Sequence, residues 1–450
     1  MLSLDCYNGG GIMRKKRFIP AVALFCILCG CGGEGKEAPA EPALNENGKE
    51  EIQFADSSFS AVFKEIIVDY NKQSNRYEII PVEFNGDLSF DDQRDRMQVE
   101  ITGGKGPDIL SNYVFQNFDM RPLAEAGALT DVTDFLAGQE GLCEKVVEIN
   151  RVNGRLYGVP YLFSLDGMVT SEKWAADRED WTMEYCTQKM KESGCSVFIA
   201  APGGWNRETA GLQVLHSLGV GQDGIQLFVD REKGISSFEQ QEFIDLLEFS
   251  KRYADPVTRE SERYRVAEGE CFCSYGEIFS FKNFWYLTEL CEGEPAYVGF
   301  PGPEGGVYSL SAKSVYINEA SNHKEGALDF LKYLLSEEVQ RKLTTESEGF
   351  AVKQNLLEDM WKEAKKEILD ENTGYERNGI FYMPRVMTDE EETIFWQMLE
   401  NAVYSHSAGD NDIWDIVWDE ASPFFYGEKS AEETAQVIDN RVQIYLNERK

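Results

Sequence analysis

The 450-residue sequence is 42% hydrophobic and 12% aromatic, enough apolar material for a sizeable core, so disorder along the whole chain is excluded. Acidic residues outnumber basic ones 79 to 44, a formal net charge of −35 that repels phosphate backbones and argues against nucleic acid as a partner. The length suits two or three domains, or one two-lobed unit.

The chain opens with a leader. Arg14, Lys15, Lys16 and Arg17 follow Met13 as a positive stretch, and Phe18 to Ile27 is an apolar run too short to span a bilayer. This pattern reads as a secretory signal. It ends in Leu28-Cys29-Gly30-Cys31, which resembles the lipobox of bacterial lipoproteins. That resemblance implies cleavage before Cys31 and a diacylglycerol on its thiol. Residues 1–30 are then a signal peptide, with 1–12, upstream of Met13, a start-site artefact. Residues 31–50 carry the lipidated cysteine and a polar, flexible tether rich in Gly, Pro, Glu and Ala.

Beyond the tether, Ile52 to Phe54 reads as a strand and Asp56-Ser57-Ser58 as a helix cap. Phe59, Val62, Phe63, Ile66, Ile67 and Tyr70 follow at helical spacing. A strand over Tyr77–Glu83, a helix over Asp91–Ile101 and a strand from Pro107 complete a β-α-β-α-β alternation, which predicts an α/β lobe with a largely parallel sheet. Leu156 to Val169 contains Gly158, Pro160 and Gly167 and reads as a broken extended stretch suited to a crossover. Helices are predicted from Trp181-Thr182, over Glu208–Leu218 and over Phe238–Tyr253. Tyr297–Pro301 is strand-like and leads into a turn at Gly302, Gly305 and Gly306. A helical pattern covers Asn322–Leu343 with Asn322 and Glu325 as its capping box, and two further boxes begin at Thr388 and Ser430.

Catalytic and metal motifs are missing from the sequence. His216, His323 and His406 are the three histidines, and none has a ligand-spaced partner or a serine or cysteine elbow beside it. Gly219 to Gly224 matches G-x-G-x-x-G, but a helix precedes it and a strand-like stretch follows, the reverse of a dinucleotide site. No carboxylate pair stands out, so no metal or other cofactor is expected. Cys143, Cys186, Cys195, Cys271, Cys273 and Cys291 are too sparse for a disulfide scaffold and are expected as buried free thiols. Aromatic residues in loop-like segments are left over, among them Tyr113, Tyr161, Phe163, Trp205, Trp285 and Tyr286. Each is either core packing or part of a surface on which sugar rings stack.

Several stretches, in order, resemble family 1 extracellular solute-binding proteins, which serve ABC importers mostly for sugars. They are IVDYNKQSNRY from Ile67, ITGGKGPDI from Ile101, GALTD from Gly127, NGRLYGVP from Asn153 and KEGALDF from Lys324. The resemblance runs from about Glu51 to Glu448 and implies a two-lobed periplasmic-binding-protein-like fold of type II. Its hinge-linked lobes would comprise 51–163 plus 305–345 and 164–304 plus 346–450, with crossovers near Gly158, Pro160 and Gly299 to Gly302. Solute would bind in the cleft between the lobes, and closure would present both lobes to the permease. The implied activity is capture rather than catalysis. The implied partners are a carbohydrate, an ABC permease and, through the lipid, the extracytoplasmic face of the membrane, with the protein a monomer.

Asp56, Ser57, Ser58, Asn112 and Tyr113 follow strands on the cleft side of this scheme. Tyr161, Phe163, Asp166, Trp205 and Trp285 are candidate ligand contacts by residue type and position. Two rival readings stay open: a sugar-sensing co-receptor for a membrane histidine kinase, and a surface glycan-degrading enzyme with two carboxylates facing across the cleft.

Overall fold

The computed structural model describes residues 44–56, 59–83, 90–112, 120–175, 177–199, 207–220, 227–230, 233–254, 266, 269–281, 284, 295–302, 305–345, 349–367, 375–377, 380–382, 388–404 and 411–448. The first half begins β1 (Glu50–Asp56), α1 (Ala61–Gln73), β2 (Tyr77–Glu83), α2 (Phe90–Thr102) and β3 (Ile109–Ser111). β2, β1 and β3 lie side by side and parallel, as the alternation predicts. The cap of α1 lies further along than expected. Asp56 closes β1, and Ser60 Oγ accepts a hydrogen bond from the Phe63 amide at 3.1 Å. α1 then buries Val62, Phe63, Ile66, Ile67 and Tyr70, the predicted stripe.

The predicted broken stretch is one strand, β4 (Gly158–Ser171), of 14 residues. Pro160 is tolerated because it sits where the ladder is interrupted. β10 (Ser309–Ile317) pairs antiparallel with β4, and its register shifts between Lys313 and Ser314, leaving Tyr161 as the extra residue of a bulge. On the other edge of β10 the Asn112 side chain extends the pairing with β3: its Nδ2 donates to the Ala312 carbonyl at 2.8 Å, and its Oδ1 accepts from the Ser314 amide at 2.8 Å. Buried Asn150 adds a second brace, donating to Ser314 Oγ at 2.9 Å and accepting from the Tyr316 hydroxyl at 2.6 Å.

Between these two strands come α3 (Met183–Ser193), β5 (Val197–Ile199), α4 (Arg207–Leu215), α5 (Gln241–Arg252), β6 (Cys271–Ile278), β7 (Pro295–Tyr297), β8 (Phe300–Gly302) and β9 (Gly305–Val307). The strand-like Tyr297–Pro301 is split at Gly299, whose φ is +71°, and the expected glycine turn is the β8–β9 hairpin. After β10 the single helix expected over Asn322–Leu343 is two, α6 (Lys324–Leu334) and α7 (Glu337–Thr345). Asn322 is exposed and makes no cap; His323 holds the cap position without a side-chain capping bond, its Nδ1 lying 2.6 Å from Glu50 instead. The break lets Leu331, Leu334, Leu335, Val339 and Leu343 all enter one core.

The chain closes with β11 (Phe350–Ala351), α8 (Gln354–Glu367), α9 (Asp389–Asn401), β12 (Val403–Tyr404), α10 (Asn411–Tyr426) and α11 (Ala431–Glu448). α8 and α10 were not expected from the sequence. Both other capping boxes form, Thr388 with Glu391 and Ser430 with Glu433, each with reciprocal bonds of 2.8–3.1 Å.

The main sheet runs β2-β1-β3-β10-β4-β6-β5, with β7 and β11 also on β4 and β12 on β10. One large core gathers β1, α1, α6 and one face of β4 with Phe350, Trp361 and Phe395. A second gathers α3, α5, α10 and α11 around Trp181, Phe198 and Phe272, where the Trp181 and Phe272 rings lie within 4° of parallel at 5.9 Å. Cys143, Cys186, Cys195, Cys271 and Cys273 are free and buried as expected; Cys291 and Cys31 lie outside the described residues.

Candidate functional site

The site follows from strand alternation across β6, β4 and β10. Successive side chains of a strand point to opposite faces, so directly paired residues share a face. On β4 the single side chain that reaches solvent is Ser164; on β6 they are Tyr275 and Glu277; on β10 they are Ser311 and Lys313. The register pairs Ser164 with Ser311, Met168 with Tyr275 and Leu162 with Lys313, while Asp166 is paired with Glu277 on one side and Ser309 on the other. All five solvent-reaching side chains therefore lie on one face, around the row Glu277–Asp166–Ser309.

This row is polar and largely enclosed. Asp166 is 6% exposed and accepts a hydrogen bond from the Tyr275 hydroxyl at 2.7 Å. Ser309 is 2% exposed, and its Oγ has no hydrogen-bond partner among the described residues. Glu277 opens to solvent, yet the protein around it raises its carboxyl above the ordinary range by desolvation, with Lys313 drawing it back. An accessible carboxylate hemmed in by protein is what the floor of a concavity presents.

An aromatic border adjoins this floor. The Tyr275 ring lies 6.1 Å from Phe300 of β8. β8 packs against a π-helical turn, His216–Val220, that ends α4. Such turns reorient side chains at a helix end. The His216 ring meets Trp414 of α10 edge to face at 4.9 Å, and Trp414 meets Trp418 at 5.8 Å; all three rings are partly exposed. Desolvation lowers the His216 pKa to about 4, so the ring is neutral at neutral pH.

That shift carries a stability prediction. The unfolded-state value is near 6.5, so the contribution is complete above that pH and is lost as pH falls from 6.5 toward 4, by up to about 3 kcal/mol. Urea unfolding of the wild type and His216→Gln should show the stability gap between them narrowing across this window. Parallel curves would refute the assignment.

The predicted contacts divide. Asp166 is at the centre of the site. Asn112 lies across β10 from β4, beside Ser314 rather than Ser309, and both polar ends of its side chain hold the β10 backbone. Tyr161 and Phe163 are 4% and 1% exposed and are core residues: Tyr161 packs on Phe63 at 5.4 Å and Phe163 on Phe350 at 5.3 Å. Asp56 is buried at the end of β1, and the β1–β3 register brings it alongside Ser111. Ser57, Ser58, Tyr113, Trp205 and Trp285 lie outside the described residues, as does Tyr286. The sequence reading missed Ser164, Tyr275, Glu277, Ser309, Ser311, Lys313, His216 and Trp414. The signal of the strand residues was alternation, in Ser309-x-Ser311-x-Lys313, Tyr275-x-Glu277 and Ser164-x-Asp166; His216 and Trp414 carried none.

Among the described residues no group of three or more His, Cys, Asp or Glu is placed to hold a metal ion, and no helix is long and apolar enough to cross a membrane.

Comparison with known proteins defines the class. The profile of the bacterial extracellular solute-binding protein family matches residues 55–341. The chain belongs to that family, which is one of binding proteins rather than enzymes. No curated protein matches the sequence. Solved structures share the fold at low identity. The sugar-binding protein MalE from Xanthomonas citri is 15% identical, with a TM-score of 0.58 over 89% of this chain and 98% of that one. A substrate-binding protein from Listeria monocytogenes in complex with cycloalternan is 14% identical, with a TM-score of 0.57 over 89% and 99%. A solute-binding protein from Thermotoga lettingae bound to alpha-D-tagatose is 15% identical, with a TM-score of 0.54 over 88% and 99%. The fold is thus the two-lobed α/β arrangement expected from the sequence.

Proposed function

We propose that this chain is the carbohydrate-binding subunit of an ABC importer, lipid-anchored through Cys31 on the extracytoplasmic face of the membrane. It captures an oligosaccharide as a monomer and delivers it to the permease without chemical change. The observation that carries this reading is the single polar, solvent-reaching face at the centre of the main sheet. Hydroxyls and carboxylates there suit sugar hydroxyls, which both donate and accept hydrogen bonds. Beside them His216 and Trp414 offer ring surface to the apolar faces of a sugar. Carbohydrates bound to two fold relatives, cycloalternan and tagatose, point the same way. In this reading β4 and β10 cross between the two lobes, so the floor of the site is also the hinge. Trp205 and Trp285 remain proposed contacts.

A thermal-shift screen of residues 32–450 against mono- and oligosaccharides tests this. A true ligand at 100 times its Kd should stabilise the protein by about 2.7 kcal/mol, and the shift should grow with the logarithm of concentration. Hydrolysis of the added glycan, or no shift with any sugar, would overturn the reading.

A further inference from the structure

The row Glu277–Asp166–Ser309 sets two carboxylates and a hydroxyl side by side across three strands. Like charges directly opposite each other on neighbouring strands are destabilising, yet Asp166 and Glu277 are paired at the middle of the sheet. The buried Ser309 hydroxyl, on the other side of Asp166, has no partner among the described residues. A buried hydroxyl without a partner is costly and calls for an explanation, and here it sits on the face where a solute would bind. The chemistry of the three groups agrees on what that is. Two carboxylates and a hydroxyl oxygen are three acceptors on one face, and an alkylammonium has three N–H donors and no acceptor.

We propose that the ligand presents a protonated amino group to this row, donating to Glu277, Asp166 and Ser309, so that the solute is an amino-substituted saccharide. This rests on the carbohydrate reading above and narrows it.

The surroundings are compatible. Tyr275 already donates to Asp166 and fixes its carboxylate, and Lys313 lies two rows further along the same face of β10. The excess of acidic residues favours the approach of a cation.

Isothermal titration of residues 32–450 with four probes tests the inference: a glucosamine oligosaccharide, its fully N-acetylated counterpart, maltotriose and spermidine. The pH is set so that the free amine is protonated. The expected result is that the glucosamine oligosaccharide binds at least about tenfold more tightly than the N-acetylated form. Asp166→Asn and Glu277→Gln should each remove most of that preference. Ser309→Ala, which leaves both charges, should reduce it less. Thermal unfolding of each variant confirms that it is folded. Equal binding of the amino and N-acetylated forms, or preference for maltotriose, overturns the ammonium site and leaves the carbohydrate reading standing. Binding of spermidine without any saccharide keeps the ammonium site and overturns the carbohydrate reading.

Discussion

Gly299→Ala is expected to lower the unfolding free energy by about 2–5 kcal/mol, the sum of a left-handed backbone penalty and an overpacking penalty. Gly299 has φ of +71°, and a Cβ there would lie 2.6 Å from the Val307 carbonyl oxygen, 2.8 Å from its carbon and 2.9 Å from its nitrogen. These are backbone atoms of β9 and have no rotamer to escape into. The position is held from two more sides. Trp181 Nε1 donates to the Gly299 carbonyl at 3.1 Å, and a Cβ on Gly167 of β4 would come within 3.3 Å of the Gly299 Cα. Displacing Gly299 therefore disturbs both the second core and the central strand. Gly154 is the control: its φ is +81°, but nothing lies within 4 Å of its Cβ position. Gly154→Ala should cost about 1–2 kcal/mol, the backbone penalty alone. Urea denaturation of the two variants measures the difference, and equal losses would mean that the contact with Val307 is unimportant.

Asp166→Asn is expected to weaken binding of the physiological solute by about 2–3 kcal/mol, roughly 30- to 150-fold in Kd, as for other hydrogen bonds to a charged group. Its effect on stability should have the opposite sign. The substitution removes one of two like charges paired across β4 and β6 while keeping shape and acceptor capacity toward Tyr275. The melting temperature should hold or rise slightly. A residue kept for folding loses stability when altered, whereas one kept for a ligand loses affinity alone, so the two measurements together separate the roles. A destabilised variant with unchanged affinity would place Asp166 in the scaffold instead.

The sequence was most readable where physics is local. The stripe of α1, the parallel β1–β3 alternation and the boxes at Thr388 and Ser430 depend on residues a few positions apart, and all are found. β4 was misread because Gly and Pro signal interruption in sequence. What allows Pro160 inside a strand is a bulge opposite β10, about 150 residues away. The site shows the same limit. Asp166 was readable because a carboxylate in an apolar strand is conspicuous. Ser309 and Glu277 were not, because each gains its meaning from strand pairing with Asp166. Tyr161 and Phe163 stood out as aromatics in an irregular-looking segment, yet in a continuous strand they turn into the core.

The buried thiols bear on how long such a protein lasts outside the cell. Cys143, Cys186, Cys195, Cys271 and Cys273 are all free in the fold, and burial pushes the Cys143 and Cys186 thiols well above the usual range, so neither offers a reactive thiolate. Packing is their protection. In an oxidising medium each unfolding event exposes them to disulfide formation, which competes with refolding. Working lifetime is then set by how rarely the fold opens, and not by the balance between folded and unfolded chains.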